Sequence, residues 1–164
     1  MAQPDPRVQS RSEPLPGDPF DWFIRIPNQL DLMRSVRALL TSTCEAHGVD
    51  DEATQEILLA VSELVNNAIE HVAGAGPGGY HEVDFQFGIA DGMAVGRIFD
   101  EGQGGIDQAA FEAASPPSLD NDRGRGLFLI RAYVDDLKVR VLPGVGTEIR
   151  FVKQLRGNAG GGTA

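Results

Sequence analysis

Residues 81–100, HEVDFQFGIADGMAVGRIFD, decide how the rest of the chain is read. Val83, Phe85, Phe87 and Ile89 recur at every second position, the period of a strand with one buried face. Asp91-Gly92 then interrupts the run. Asp-Gly is a two-residue turn whose left-handed backbone matches the twist of paired antiparallel strands. The stretch MAVGRIFD resumes as a second strand and finishes on Asp100. A central hairpin predicts a largely antiparallel sheet.

Reading outward, FDWFIRIP (20–27) alternates β-branched and aromatic residues and predicts another strand. Residues 28–47 carry Leu32, Val36, Leu39 and Leu40 at helical spacing and stop near Gly48. Asp50 and Asp51 can cap a second helix over about 51–73. GAGPGG (74–79) is a loop. Beyond the hairpin and a long irregular segment, GLFLIRAYV (126–134) reads as a helix. LKVRVL and TEIRFVKQL, with PGVG between them, add two strands. The order β-α-α-β-β-loop-α-β-β predicts an α/β two-layer sandwich: a mixed, mostly antiparallel sheet with three helices on one face.

Length and composition bound the function. The 164 residues suit one domain with a real core. A net charge of −10 argues against a nucleic-acid surface, which needs clustered Lys and Arg. It suits a partner with basic patches. One cysteine, Cys44, excludes an internal disulfide and predicts half-buried helix packing. With no secretory h-region and no apolar run near membrane-spanning length, the chain reads as a soluble cytoplasmic protein. Residues 1–19 hold five of the ten prolines and read as a disordered leader. Residues 20–155 form the folded domain, and 156–164 a flexible Gly-rich tail.

The second helix carries AVSELVNNAIEHV (60–72), with polar residues that an apolar helix does not need. Asn competes for backbone hydrogen bonds and disfavours helix interiors. At about 100° per residue, Ile57, Val61, Leu64, Val65, Ala68 and Val72 form the core stripe. Asn66 points out to solvent. Glu63 and Asn67 stack one turn apart beside the stripe. By itself this fits a surface pair as well as a working one.

Two glycine clusters add to it. Asp100-x-Gly102-x-Gly104-Gly105 puts a carboxylate at a strand end before a loop that lets a ligand approach the backbone. Gly124-Arg125-Gly126 opens a helix, whose free N–H groups and positive end suit phosphates, with Arg123 and Arg125 adding charge. Gly146-Thr147 opens the last strand. Each pattern alone fits an ordinary turn.

Their order is specific. E-x-x-x-N on a helix, D-x-G-x-G after a strand, G-x-G before a helix and G-T at a strand start resemble the boxes of the GHKL ATPases. AVSELVNNAIEH, FDEGQGGI and GRGLFLIRAYVDDL look most like the bacterial anti-sigma factor serine kinases, over about 20–155. No P-loop is present, since Lys138 and Lys153 follow neither glycine loop.

The resemblance implies an ATP-binding fold with the following roles. Asn67 would bind Mg²⁺ through its amide oxygen. Glu63 would be the catalytic base, polarising a serine or threonine hydroxyl on a protein acceptor. Asp100 would hold the adenine amino group. Gly102, Gly104 and Gly105 would let the loop close. Residues 106–123 would form a lid, with SPPSLDNDR its mobile part. Arg123 and the run Gly124, Arg125, Gly126 and Leu127 would receive the phosphates, and Thr147 would complete the adenine pocket. His71 lines that pocket or faces the helix dipole. Asp122 beside Arg123 departs from the pattern and leaves open which arginine meets the terminal phosphate; Arg125 is favoured.

Three functions follow. The first is a serine/threonine kinase that sequesters a sigma factor and phosphorylates a small anti-anti-sigma antagonist, as a homodimer without direct nucleic-acid or membrane contact. The second is an ATP-binding module that sequesters a partner without phosphoryl transfer; Glu63 argues against it. The third is the catalytic domain of a histidine kinase, which needs a helical hairpin with a phosphoacceptor His. No room for that hairpin is expected before residue 20, and His47 lacks an adjacent acidic residue. Fold alone does not separate them.

Overall fold

The computed structural model describes residues 19–27, 30–73, 82–102 and 129–156. Their order is β1 (Trp22–Pro27), α1 (Met33–Ala46), α2 (Asp51–Ala73), β2 (Glu82–Ala90), β3 (Met93–Asp100), β4 (Asp136–Leu142) and β5 (Gly146–Gln154). A 3₁₀ turn, Leu30–Leu32, leads into α1, and residues 129–133 are helical. Residues 1–18, 28–29, 74–81, 103–128 and 157–164 lie outside this description, and with them most of the leader, the lid and the tail.

The five strands form one sheet in the order β1-β2-β3-β5-β4. All four pairings are antiparallel, so the parallel component allowed by a mixed sheet is absent among the described residues. The β2–β3 turn is as expected: Asp91 (φ 51°) and Gly92 (φ 73°) are both left-handed. The order of the last strands has a consequence for function. β5 inserts between β3 and β4, which pairs Asp100 with Thr147.

One face of the sheet carries the core. Val83, Phe85 and Phe87 of β2, Ile98 of β3 and Phe151 of β5 are fully buried against the helices. Ile130, in the short helical stretch, joins the same cluster. Trp22 Nε1 donates to Thr43 Oγ1 at 2.8 Å, tying β1 to α1.

In α1, Val36, Leu40 and Cys44 recur every fourth residue and are all buried. Cys44 has no exposed surface, which corrects the half-buried expectation: it continues the core stripe instead of bordering it. Gly48 (φ +66°) ends the helix in the left-handed conformation that glycine adopts without strain.

In α2, Asp50 Oδ1 accepts the Ala53 N–H at 2.8 Å, the expected cap. Ile57, Val61, Leu64, Val65 and Ala68 are buried as read from the helical period. The stripe is wider than that reading, because Leu58 and Ile69 are buried too. Asn66 is half-buried, not fully in solvent. No described helix is long and apolar enough to cross a membrane.

The face away from the helices carries buried polar residues. Arg97 Nε donates to Glu148 Oε2 at 2.8 Å, and its Nη1 donates to Gln86 Oε1 at 3.1 Å. Arg25 grips Asp84 through two bonds, of 2.7 and 3.1 Å. These pairs cross β1–β2 and β2–β3–β5, so they pin strand register. Arg97→Ala is expected to cost about 3 kcal/mol, because it strands the buried Glu148 carboxylate. Urea denaturation measures this, and Arg97→Ala/Glu148→Ala should recover part of the loss.

Candidate functional site

The two ends of the sheet differ. At one end, the β2–β3 turn meets the start of α2: Asp50, Asp91, Gly92 and Leu155 line a cavity of about 260 Å³. Lys153, near that end of β5, pairs with Glu56 on the second turn of α2. Its Nζ also donates to the Tyr133 carbonyl at 3.0 Å, at the close of the helical stretch 129–133. A cation on the last carbonyls of a helix is favourable, and here it ties that helix to α2 and β5.

Two residues of the expected site lie farther along these elements. Asn67 lies eleven residues beyond Glu56, about 16 Å along the helix axis. Thr147 lies six residues back from Lys153, about 20 Å along the strand. α2 packs on β3 and β2. At the end of the sheet away from Lys153, β3 finishes in Asp100 and β5 begins with Thr147.

The floor of this end is tight. Asp100 is 1% exposed and Thr147 2%. They are cross-strand partners facing the helices. Asp100 Oδ1 accepts the Gly102 N–H at 2.8 Å, a local turn that holds the carboxyl and the buried Gly102 backbone together. Burial pushes the Asp100 carboxyl up to about 7, and the Gly102 hydrogen bond opposes this only in part. Gly146 has φ +155°, and a Cβ there would stand 2.0 Å from the Asp100 carbonyl oxygen. Only glycine lets β5 start this close to the end of β3. The sequence pattern alone fits an ordinary turn here; the residue's role depends on the β3–β5 pairing, which no local signal reveals.

On α2, Glu63 is exposed and Asn67 half-buried. An exposed carboxylate can reach an incoming group, and a half-buried amide can present an oxygen to a cation. His71 is in the helix, but its side chain lies outside the described residues, as do Gly104, Gly105, Arg123, Gly124, Arg125, Gly126 and Leu127. Among the described residues no cluster of His, Cys, Asp and Glu could hold a metal by itself. A cation here would take its remaining ligands from a bound phosphate and water, which suits Mg²⁺.

Residues 26–153 match the histidine kinase-like ATPase domain, a span containing both ends of the site. The chain belongs to that family. Similar proteins include the serine-protein kinase RsbW of Oceanobacillus iheyensis, 26% identical over 133 residues, 77% of this chain and 83% of that protein. The anti-sigma F factor of Caldanaerobacter subterraneus is 30% identical over 109 residues, 65% of this chain and 74% of that protein.

Among solved structures, the RsbU and RsbW domains of Rv1364c from Mycobacterium tuberculosis share the fold. The TM-score is 0.60 at 23% identity, over 82% of this chain and 32% of that one. The SiaB–SiaC complex from Pseudomonas aeruginosa aligns with a TM-score of 0.64 at 15% identity, over 81% of this chain and 89% of that one. Membership in the histidine kinase-like ATPase family implies ATP binding, and relatives named as serine-protein kinases and anti-sigma factors support a kinase activity and an anti-sigma role.

Proposed function

We propose that this protein is an ATP-dependent serine/threonine kinase acting as an anti-sigma factor, which binds a sigma factor and phosphorylates a small antagonist of that binding. The observation that carries the reading is the pairing of a buried carboxyl, Asp100, with Thr147 where β3 ends and β5 begins; Glu63 and Asn67, one turn apart on α2, complete the proposed site. Asp100 and Thr147 hold the adenine. Asn67 presents its amide oxygen to the Mg²⁺ that accompanies the triphosphate. When bound there, the ion would supply neutralisation of the phosphate charge. Glu63, exposed one turn earlier, accepts the proton of the acceptor hydroxyl as that oxygen attacks the terminal phosphorus, whose bond to the bridging oxygen breaks to release ADP. Its exposure suits an acceptor that arrives on another protein. The phosphate-receiving roles of Arg123 and of Gly124, Arg125, Gly126 and Leu127 belong to the same proposal, as do a pocket position for His71, loop closure at Gly104 and Gly105, and a homodimer.

His47 does not fit a phosphoacceptor role. Its Nε2 pairs with Asp21 Oδ2 at 3.1 Å, and it lines the cavity at the end of the sheet away from Asp100.

Saturating Mg-ATP at about 100 Kd should stabilise the wild-type chain by about 2.7 kcal/mol, a melting shift of about 5–10 °C for this size. Asn67→Ala should abolish most of that shift without changing the ligand-free melting temperature, since the residue is only half-buried. Differential scanning fluorimetry decides it; a full shift in the variant removes Asn67 from the site. The partner assignment is tested by pull-down from native extract. A sigma factor and a small acceptor that becomes labelled by γ-phosphate-labelled ATP are expected. Recovery of neither overturns the partner-switching part.

A further inference from the structure

The chain does not approach β1 along the sheet edge. The Asp21 N–H donates to the Phe87 carbonyl at 2.9 Å, as a neighbouring strand does. The next donor on β2, the Ile89 N–H, goes instead to the Asp21 carboxylate at 3.0 Å. One side chain thus stands in for the main chain, and Pro19 and Phe20 leave the edge. They cross onto β2 at Gly88. A Cβ there would overlap the Pro19 carbonyl oxygen and the Phe20 Cα, so only glycine admits the crossing. Phe87 and Ile89 belong to the core under the helices, so Gly88 looks the other way. The chain therefore reaches β1 from the outer face of the sheet.

That face has a lane in line with the crossing. Gly88 pairs with Val95, Val95 with Val152, and Val152 with Asp136. The row crosses β2, β3, β5 and β4 and is apolar until Asp136, whose carboxylate pairs with Lys138 at 3.3 Å. Val95 is buried yet is no member of the core cluster under the helices. Met93, two residues before it on the same face, is 37% exposed. The adjacent row, Gln86, Arg97, Arg150 and Lys138, is polar and bounds the lane on the other side.

The residues before Pro19 fit this lane in length and chemistry. They read Pro14-Leu15-Pro16-Gly17-Asp18. Three strand spacings make the lane about 14 Å long, and five residues in the polyproline conformation reach about 15 Å. Proline brings no N–H, so a strap on an apolar row leaves few donors without a partner. Its fixed φ also lowers the entropy lost on ordering.

We propose that residues 14–18 lie across the outer face of this chain's own sheet as a strap, with Leu15 and Pro16 over Val152. The strap closes the lane to a second copy of the chain. It gives a seat to residues that composition alone assigns to a disordered leader, and it does not depend on the ATP-site reading.

Paramagnetic relaxation NMR on the full chain tests it. Ser12→Cys places a thiol just beyond the strap. Cys44 has no exposed surface, so a nitroxide reagent attaches at position 12. The amide signals of Val152 and Asp136, on the far side of the sheet from β1, should lose most of their intensity. Replacing Pro14, Leu15 and Pro16 together by serine should restore both signals. Broadening confined to the surroundings of Phe20 overturns the strap, because a leader that is only tethered stays near its attachment. Broadening of Val152 and Asp136 that survives the triple replacement overturns it too. A third sample mixes nitroxide-labelled chain with isotope-labelled chain that carries no nitroxide. Sharp signals there keep the contact within one chain; broadened Val152 and Asp136 assign the lane to a second copy and overturn the proposal.

Discussion

Glu63→Gln is expected to slow phosphoryl transfer to the acceptor protein by about 10²–10⁴-fold while leaving Mg-ATP binding unchanged. The substitution keeps length, volume and hydrogen-bonding reach and removes only the ability to take a proton. Glu63 is exposed on α2, and no described hydrogen bond or ion pair holds it, so nothing in the core depends on its charge. A drop in rate therefore reports chemistry and not a damaged fold. The measurement is single-turnover transfer of labelled phosphate at saturating Mg-ATP and acceptor, with the thermal shift by Mg-ATP as the binding control. Loss of rate with an intact shift assigns the base. Full-rate transfer by the variant removes Glu63 from the mechanism and returns it to the surface-pair reading that the helix alone allowed. A second control separates a base from an electrostatic role: Glu63→Asp should restore part of the rate.

How much of this was legible in the sequence depends on the range of each signal. The hairpin at Asp91-Gly92 and the core stripe of α2 are local patterns; the hairpin stands as read, and of the stripe Ile57, Val61, Leu64, Val65 and Ala68 are buried, while the Val72 side chain lies outside the described residues. Their errors are local as well. A helical wheel assigns direction but not depth, so it left Asn66 in solvent and kept Leu58 and Ile69 out of the core, although Asn66 is half-buried and the other two are buried. Alternation along β2 marks Asp84 and Gln86 as facing away from the helices. It cannot show that Arg25 and Arg97, from neighbouring strands, meet them there and make burial tolerable. The site divides in the same way. Glu63 and Asn67 are one turn apart, and their relation follows from helix geometry. Asp100 and Thr147 are 47 positions apart in sequence and become neighbours only because β5 inserts beside β3. Their candidacy rested on the ordered likeness to a family, and the strand order supplies the physical reason they can share a pocket.

That strand insertion makes Gly146 the position where fold and site are hardest to separate. Gly146→Ala is expected to destabilise the chain by about 3–6 kcal/mol, combining a strained backbone with overpacking. The new methyl would stand 2.0 Å from the Asp100 carbonyl oxygen and 3.0 Å from the carbonyl carbon, and neither is a side chain that can swing away. The start of β5 must then move off the end of β3. That displacement parts Asp100 from Thr147, so Mg-ATP affinity should fall with stability. Gly144, two residues earlier in the same turn, is the comparison. Its φ is +73°, but a Cβ there meets nothing within 4 Å. Gly144→Ala carries only the left-handed backbone cost of about 1 kcal/mol, with nucleotide binding retained. Chemical denaturation and calorimetry on the two variants read both quantities. Equal losses in the two would mean that turn conformation, not the close approach to Asp100, is what Gly146 supplies. A large loss of stability and binding confined to Gly146→Ala ties the pocket to the β3–β5 junction.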